Sequence, residues 1–319
     1  MNLTLIATTI MGFESVLAQE LKDLGYTNIR VDNHKVEFEG TLSDICKANL
    51  WCRTAGRIYI KIAEFKALTF DELFEHTQAL PWSTWIGPDD QFPVTKITSR
   101  KSALFSKSDC QAIVKKAVAD SLLTSHKRNA LPETKAVFPI RIQIENDWVT
   151  LSIDTTGHGL NKRGYRAHMD IAPLRETLAA GLIYLSRWKA DRDVLLDPFC
   201  GTGTLLIEAG LIGRNIAPGL NRTFLAQSWD LIPEQAWITE TENAKDSITK
   251  TEYRIYGSDH NYKALEVANK NLELAGISDI HVQKRDIAEI GSRFDQGKII
   301  TNPPYGERLS EQEDVNKLY

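Results

Sequence analysis

Between Val194 and Ala209 the chain reads VLLDPFCGTGTLLIEA. An apolar run closes on Asp197, a tight turn carries Gly201 and Gly203, and an apolar helical pattern begins directly after it. Glycine in such a turn permits unusual backbone angles and lets the main chain approach a ligand closely. Strand, turn and helix then recur. A helical LRETLAAGLIYLSRW precedes this stretch, and the strand YRIYGSD and helix YKALEVANKNLELAG follow a looped insertion over 214–250. The strands IHVQKRD and KIITNPP close the series. Strands alternating with helices imply right-handed crossovers and a parallel, doubly wound sheet.

In such a sheet ligands bind outside the carboxyl ends of the strands. The turn is GxG without the third glycine of the dinucleotide fingerprint, and Asp197 stands at its mouth. A carboxylate there repels a pyrophosphate and welcomes an ammonium group. S-adenosylmethionine, with an ammonium and a sulfonium and no phosphate, fits the turn better than NAD. Phe199, Cys200, Gly201, Thr202 and Gly203 then belong to the cofactor turn. Asp259, at the end of the next strand, reads either as an acceptor for ribose hydroxyls or as a helix cap. Asp286 reads either as an acceptor for the adenine amino group or as another cap.

The segment KIITNPPYGERL ends a strand in Asn302, Pro303 and Pro304, with Tyr305 after them. Proline cannot donate to a sheet ladder, so a rigid turn here needs a purpose. Methyl transfer to an exocyclic amine supplies one. The side-chain oxygen of Asn302, a residue also expected among the cofactor contacts, and the carbonyl of Pro303 can accept the two N–H bonds of the amine, which aims its lone pair for in-line attack. Tyr305 offers a face for stacking a base drawn out of its helix.

The N-terminal half alternates differently. Strand and helix patterns over LTLIATTI, ESVLAQELKDLG, KVEFEG, LSDICKANLW and RIYIKIAEF form a small α+β unit over 1–65. A second α+β unit over 66–156 has FDELFEHTQAL, QFPVTKITS, a long helix SKSDCQAIVKKAVADSLLTSHK and two strands meeting near Asn146 and Asp147. The Gly-rich, basic TTGHGLNKRGYR reads as a linker into the third unit, 157–319. Net charge is −4, yet Lys96–Arg141 holds ten basic residues against Asp109, Asp120 and Glu133. A phosphate backbone responds to such a local excess, and a solvated helix face accounts for it equally well. Cys46, Cys52, Cys110 and Cys200 form no CxxC pair, and the seven histidines show no metal-ligand spacing, so neither a disulfide framework nor a metal site is expected. No apolar run is long enough to span a bilayer, and a reducing cytosol is the expected compartment.

DPFCGTG, GSDHNYKALEVANKNLELAG and NPPYGERL resemble class I S-adenosylmethionine-dependent methyltransferases of the NPPY type. TSRKSALFSKSDCQAIVKKAVADSL and RIQIENDWVTLSIDTTGHGLNKRGYR resemble a THUMP module leading into the catalytic domain. Together they resemble, across nearly the whole chain, the THUMP-containing bacterial 23S rRNA guanine-N2 methyltransferases. The resemblance implies an α/β fold: a Rossmann-like methyltransferase domain preceded by α+β ferredoxin-like and THUMP units. It implies S-adenosylmethionine as cofactor, ribosomal RNA as partner, and RGYR and APLRETLAAGL packed around the methionine end of the cofactor. Lys101, Lys107, Lys115, Lys116, Arg163 and Arg166 are the expected phosphate contacts. Cys200 lies in the cofactor turn, where its backbone matters more than its sulfur. Methyltransferases of this class have seven strands and four are counted here, so about three more are expected beyond Tyr319. The competing readings are a DNA adenine-N6 or cytosine-N4 methyltransferase, for which NPPY serves equally, and a non-catalytic RNA-binding assembly factor.

Overall fold

The computed structural model describes residues 2–166, 173–277, 279–291, 294 and 296–303. Its first half is built on one continuous sheet. Strand β1 (Leu3–Thr8), helix α1 (Glu14–Asp23), β2 (Arg30–Asp32), β3 (Lys35–Gly40), α2 (Leu42–Trp51) and β4 (Arg57–Lys66) come first. Then follow α3 (Phe70–Gln78), β5 (Val94–Arg100), α4 (Lys107–His126), β6 (Ile140–Glu145) and β7 (Trp148–Asp154). The sheet order is β2-β3-β1-β4-β7-β6-β5. β4 pairs antiparallel with β1 on one edge and with β7 on the other. The two N-terminal α+β units therefore share a sheet, and residues 65 and 66 lie at the end of the strand that joins them.

Alternation decides which face is dry. Along β6, Ile140, Ile142 and Ile144 enter the core while Arg141, Gln143 and Glu145 point the other way. The β6–β7 turn uses Asn146 and Asp147, both at positive φ, as a two-residue hairpin requires. α4 is closed by Lys127 in the left-handed conformation.

The second half is α5 (Glu176–Ser186), β8 (Val194–Asp197), α6 (Thr204–Gly213), α7 (Glu234–Asp246), β9 (Arg254–Asp259), α8 (Tyr262–Leu274), β10 (His281–Lys284) and β11 (Lys298–Ile299). The parallel sheet runs β10-β9-β8-β11. The chain moves outward from β8 to β10, then returns to the opposite side of β8 with β11. That reversal is the topological switch point of a doubly wound sheet.

The 214–250 insertion is more than a loop. It carries α7, and Phe224, Trp229, Ile232 and Trp237 are buried in the same core as the first sheet. Trp229 stacks on Phe138 with ring centroids 4.4 Å apart and donates Nε1–H to the Val137 carbonyl at 3.0 Å. Such an aromatic pair contributes about 0.5–1.5 kcal/mol beyond burial alone. Part of the C-terminal half is thus anchored to the N-terminal half. Among the described residues no helix is long and apolar enough to cross a membrane.

Candidate active site

The turn after β8 is held from both sides. The Cys200 amide donates to the Ser258 carbonyl on β9 at 2.9 Å, and Asn271 of α8 donates to the Thr202 carbonyl at 3.0 Å. Gly203 opens α6 at φ 81°, where a Cβ would press on Ala268 at 3.2 Å. Gly201 has φ 51°, and the position a Cβ would take is open. Its amide donates to Asp259 Oδ2 at 2.8 Å. Asp259 is therefore not the cap of α8. Asn261 is, its side chain accepting from the Lys263 and Ala264 amides, while Asp259 also accepts from the Asn261 amide.

Beside this turn lies a cleft of about 140 Å³, bordered among others by Asp197, Phe199, Gly201, Asp259, His260 and Asn302, with Pro173 and Leu174 on its wall. β11 delivers Asn302 to it. The preceding Thr301 donates its hydroxyl to Asp197 Oδ1 at 2.6 Å, which ties the two strand ends together across the switch point. Among the described residues the Asn302 side chain makes no hydrogen bond, so its oxygen is free to accept one. Pro303 follows, half-buried. Pro304 and Tyr305 lie outside the described residues.

The electrostatics are those of a cation site. Asp197 is almost fully buried, and burial pushes its carboxyl up to about 7, with Asp259 adding to the rise while Thr301 and the Phe199 amide oppose it. No lysine or arginine is among the described lining residues. Cys200 is buried, and burial first, then Asp197 and Asp259, raise its thiol far from the reactive range. Its sulfur is thus unsuited to nucleophilic work.

Several expected contacts need correction. Asp286 is exposed, accepts the Ala288 amide at 2.9 Å, and is not among the lining residues: it caps a short turn. Arg163 is no phosphate ligand. It is buried, and its guanidinium spans Glu208 at 3.2 and 3.3 Å while also donating to the carbonyls of Leu160 and Arg53. Burial alone would lower its pKa; the Glu208 carboxylate outweighs burial and raises it. Arg166 is likewise tied to Glu176 at 2.6 Å and reaches Thr204 at the start of α6. Lys115 is paired with Glu133 at 2.8 Å and sits over the Phe92 ring. Lys101, Lys107 and Lys116 remain exposed. Of the residues that build the site, Thr301, Asn261 and Asn271 carry no sequence signal beyond their neighbours; only the fold brings them to the turn.

Comparison with known proteins agrees with this architecture. An RlmL ferredoxin-like domain matches residues 4–59, a THUMP domain 67–154, and an RMKL-like methyltransferase domain 163–319. YpsC of Bacillus subtilis, which carries the name of an RNA methyltransferase, is 45% identical over 99% of this chain and 82% of its own length. The chain belongs to the THUMP-containing RNA methyltransferases of the RMKL-like type. Within this family, a ribosomal RNA large subunit methyltransferase K/L of Psychromonas ingrahamii is 35% identical over 98% of this chain, which spans only 42% of that relative. Among solved structures, SMU.472 complexed with SAH matches with TM-score 0.94 and 38% identity over 99% of this chain and 84% of its own. A Listeria monocytogenes structure, described as a predicted N6-adenine-specific DNA methylase, matches with TM-score 0.95 and 45% identity over 100% and 84%.

Proposed function

We propose that this protein is an S-adenosylmethionine-dependent methyltransferase acting on the exocyclic N2 amine of a guanine in 23S rRNA. The observation that carries the reading is the acidic cleft at the switch point, with Asn302 presented at its edge. The residues present fit the cofactor: a buried carboxylate with no cation beside it suits an ammonium group, and the open face of Gly201 admits a close backbone contact. Asp197, Phe199, Gly201 and Asp259 would hold it. When bound, the cofactor supplies an electrophilic methyl group. Asn302 and the Pro303 carbonyl accept the hydrogens of the target amine and orient it; the surplus proton leaves to solvent. Arg166 is a positioning residue, joining Glu176 of α5 to Thr204 of the cofactor turn. The THUMP module and the rRNA names of the K/L relatives favour RNA; the choice of guanine rests on the resemblance to that family.

Asp197 gives this reading a pH signature. The free protein keeps the carboxyl protonated up to about 7. A carboxyl whose pKa is raised by folding stabilises the fold most at low pH, and that contribution declines as pH rises from about 4 to about 7. Binding of a cation runs the other way, because it needs the ionised form. Affinity for S-adenosylhomocysteine should rise by up to roughly tenfold between about pH 6 and about pH 8, with proton release visible as buffer-dependent heat in titration calorimetry. In the same titration Asp259→Ala should remove binding. Unchanged affinity in that variant would place the cofactor elsewhere, and a flat pH profile would remove Asp197 from the ammonium site.

A further inference from the structure

A second cavity, of about 360 Å³, opens over the polar face of the large sheet. Its wall combines Lys96 and Arg100 of β5, Arg141 of β6, and Arg175 at the start of α5. Strand pairing sets the first three on one face: Lys96 lies opposite Arg141, and Arg100 opposite Glu145. Glu145 is the one carboxylate among the described lining residues. Asp154 lies nearby but is held by Arg57, and Lys35 on the rim is spent on Glu37 and Asp32. Among the described residues Lys96, Arg100 and Arg175 make no ion pair, and Arg141 Nε is buried without a hydrogen-bond partner.

Cations are thus gathered here without enough acid to balance them. Arg141 rests 4.9 Å from the Tyr59 ring centroid and donates to Gln143 at 3.0 Å, which fixes its plane. Partial burial first, and then the charges of Arg141 and Arg57, lower the pKa of Lys96 against the opposing charge of Asp154. An anion would relieve that repulsion and satisfy the open Nε donor.

We propose that this cavity binds a backbone phosphate of the RNA substrate. The inference rests on the RNA reading above and deepens it. An RNA phosphate is favoured over a free anion by position. Arg175 is the residue after Leu174, and Pro173 and Leu174 wall the cofactor cleft, so an anion held by Arg175 is anchored to the chain segment that borders the reacting centre. The cavity also spans the shared sheet and the start of α5.

The test is equilibrium binding of in vitro-transcribed 23S rRNA to the full chain across a salt series, comparing the parent with Lys96→Ala/Arg100→Ala/Arg175→Ala. All three side chains are exposed, so the fold should survive their loss. Arg141→Gln, measured separately, reports on the buried donor. The triple variant should bind RNA about tenfold more weakly, with a salt slope shallower by about two. Parent-like RNA affinity and slope in the triple variant would overturn the phosphate site and leave the RNA reading standing. A parent that binds S-adenosylhomocysteine but no RNA would overturn both. Binding of inorganic pyrophosphate by the parent, with RNA affinity unmoved in the variant, would make the cavity a free-anion site and overturn the assignment to RNA.

Discussion

Asn302→Ala is expected to lower the single-turnover methyl-transfer rate by about 100-fold or more, with affinities for RNA and S-adenosylhomocysteine within a factor of about three of the parent. The magnitude follows from what the side chain does. Among the described residues it makes no hydrogen bond to the buried carboxylate or the turn glycines; it stands at the edge of the cleft with an unused acceptor oxygen. Removing it leaves the turn after β8 braced by Ser258, Asp259 and Asn271. On the proposed function, what is lost is the acceptor that holds the amine with its lone pair aimed, an orientation effect expressed only on the way to the transition state. A loss confined to RNA affinity, with the rate at saturation intact, would assign Asn302 to binding and remove it from the reacting centre.

The second large effect concerns stability. Arg163→Ala should destabilise the fold by about 3–5 kcal/mol, because it leaves Glu208 buried and unpaired in the apolar helix α6. Tyr165 Oη, donating to Glu208 at 3.0 Å, cannot replace a charge. Thermal melting of the full chain should show a fall of roughly 10 °C. The double change Arg163→Met/Glu208→Leu should restore much of it, since exchanging both partners for apolar groups removes the orphaned charge. Parent-like melting of Arg163→Ala would put the guanidinium back in solvent and reopen its role as a phosphate contact.

That arginine also shows where sequence reading stops. RGYR lies in a Gly-rich basic stretch and looks like a loop that touches phosphate. Its partner Glu208 lies 45 positions away in a helix whose other residues are almost all apolar, and only the fold reveals the pair. The strand, turn and helix after Val194 were legible because their signal is local: a strand end, two glycines with positive φ and a helix start within ten residues of one another. Asp259 ends a strand and Asp286 follows one, yet only Asp259 reaches the turn after β8. A carboxylate after a strand is the right residue type for a ligand contact, but β10 stops at Lys284, and the side chain turns to its own backbone.

The shared sheet was not legible at all. Each strand was readable alone, yet nothing in RIYIKIAEF announces that it takes a partner from each unit. The cations of the second cavity escaped for a related reason. Lys96, Arg100 and Arg141 were visible as charge, but Arg175 comes from a distant helix start, and strand register decides which basic residues share a face. Charge counting gave weight to α4, where Lys115 is already spent on Glu133.

The most direct test of the central claim is transfer itself. The full chain would be incubated with methyl-labelled S-adenosylmethionine and either unmodified 23S rRNA or duplex DNA, and the digested nucleosides identified by mass spectrometry. The expected result is label in N2-methylguanosine from RNA and none in DNA. Label in N6-methyladenine or N4-methylcytosine of DNA, or unlabelled RNA from a protein that binds S-adenosylhomocysteine, would contradict it.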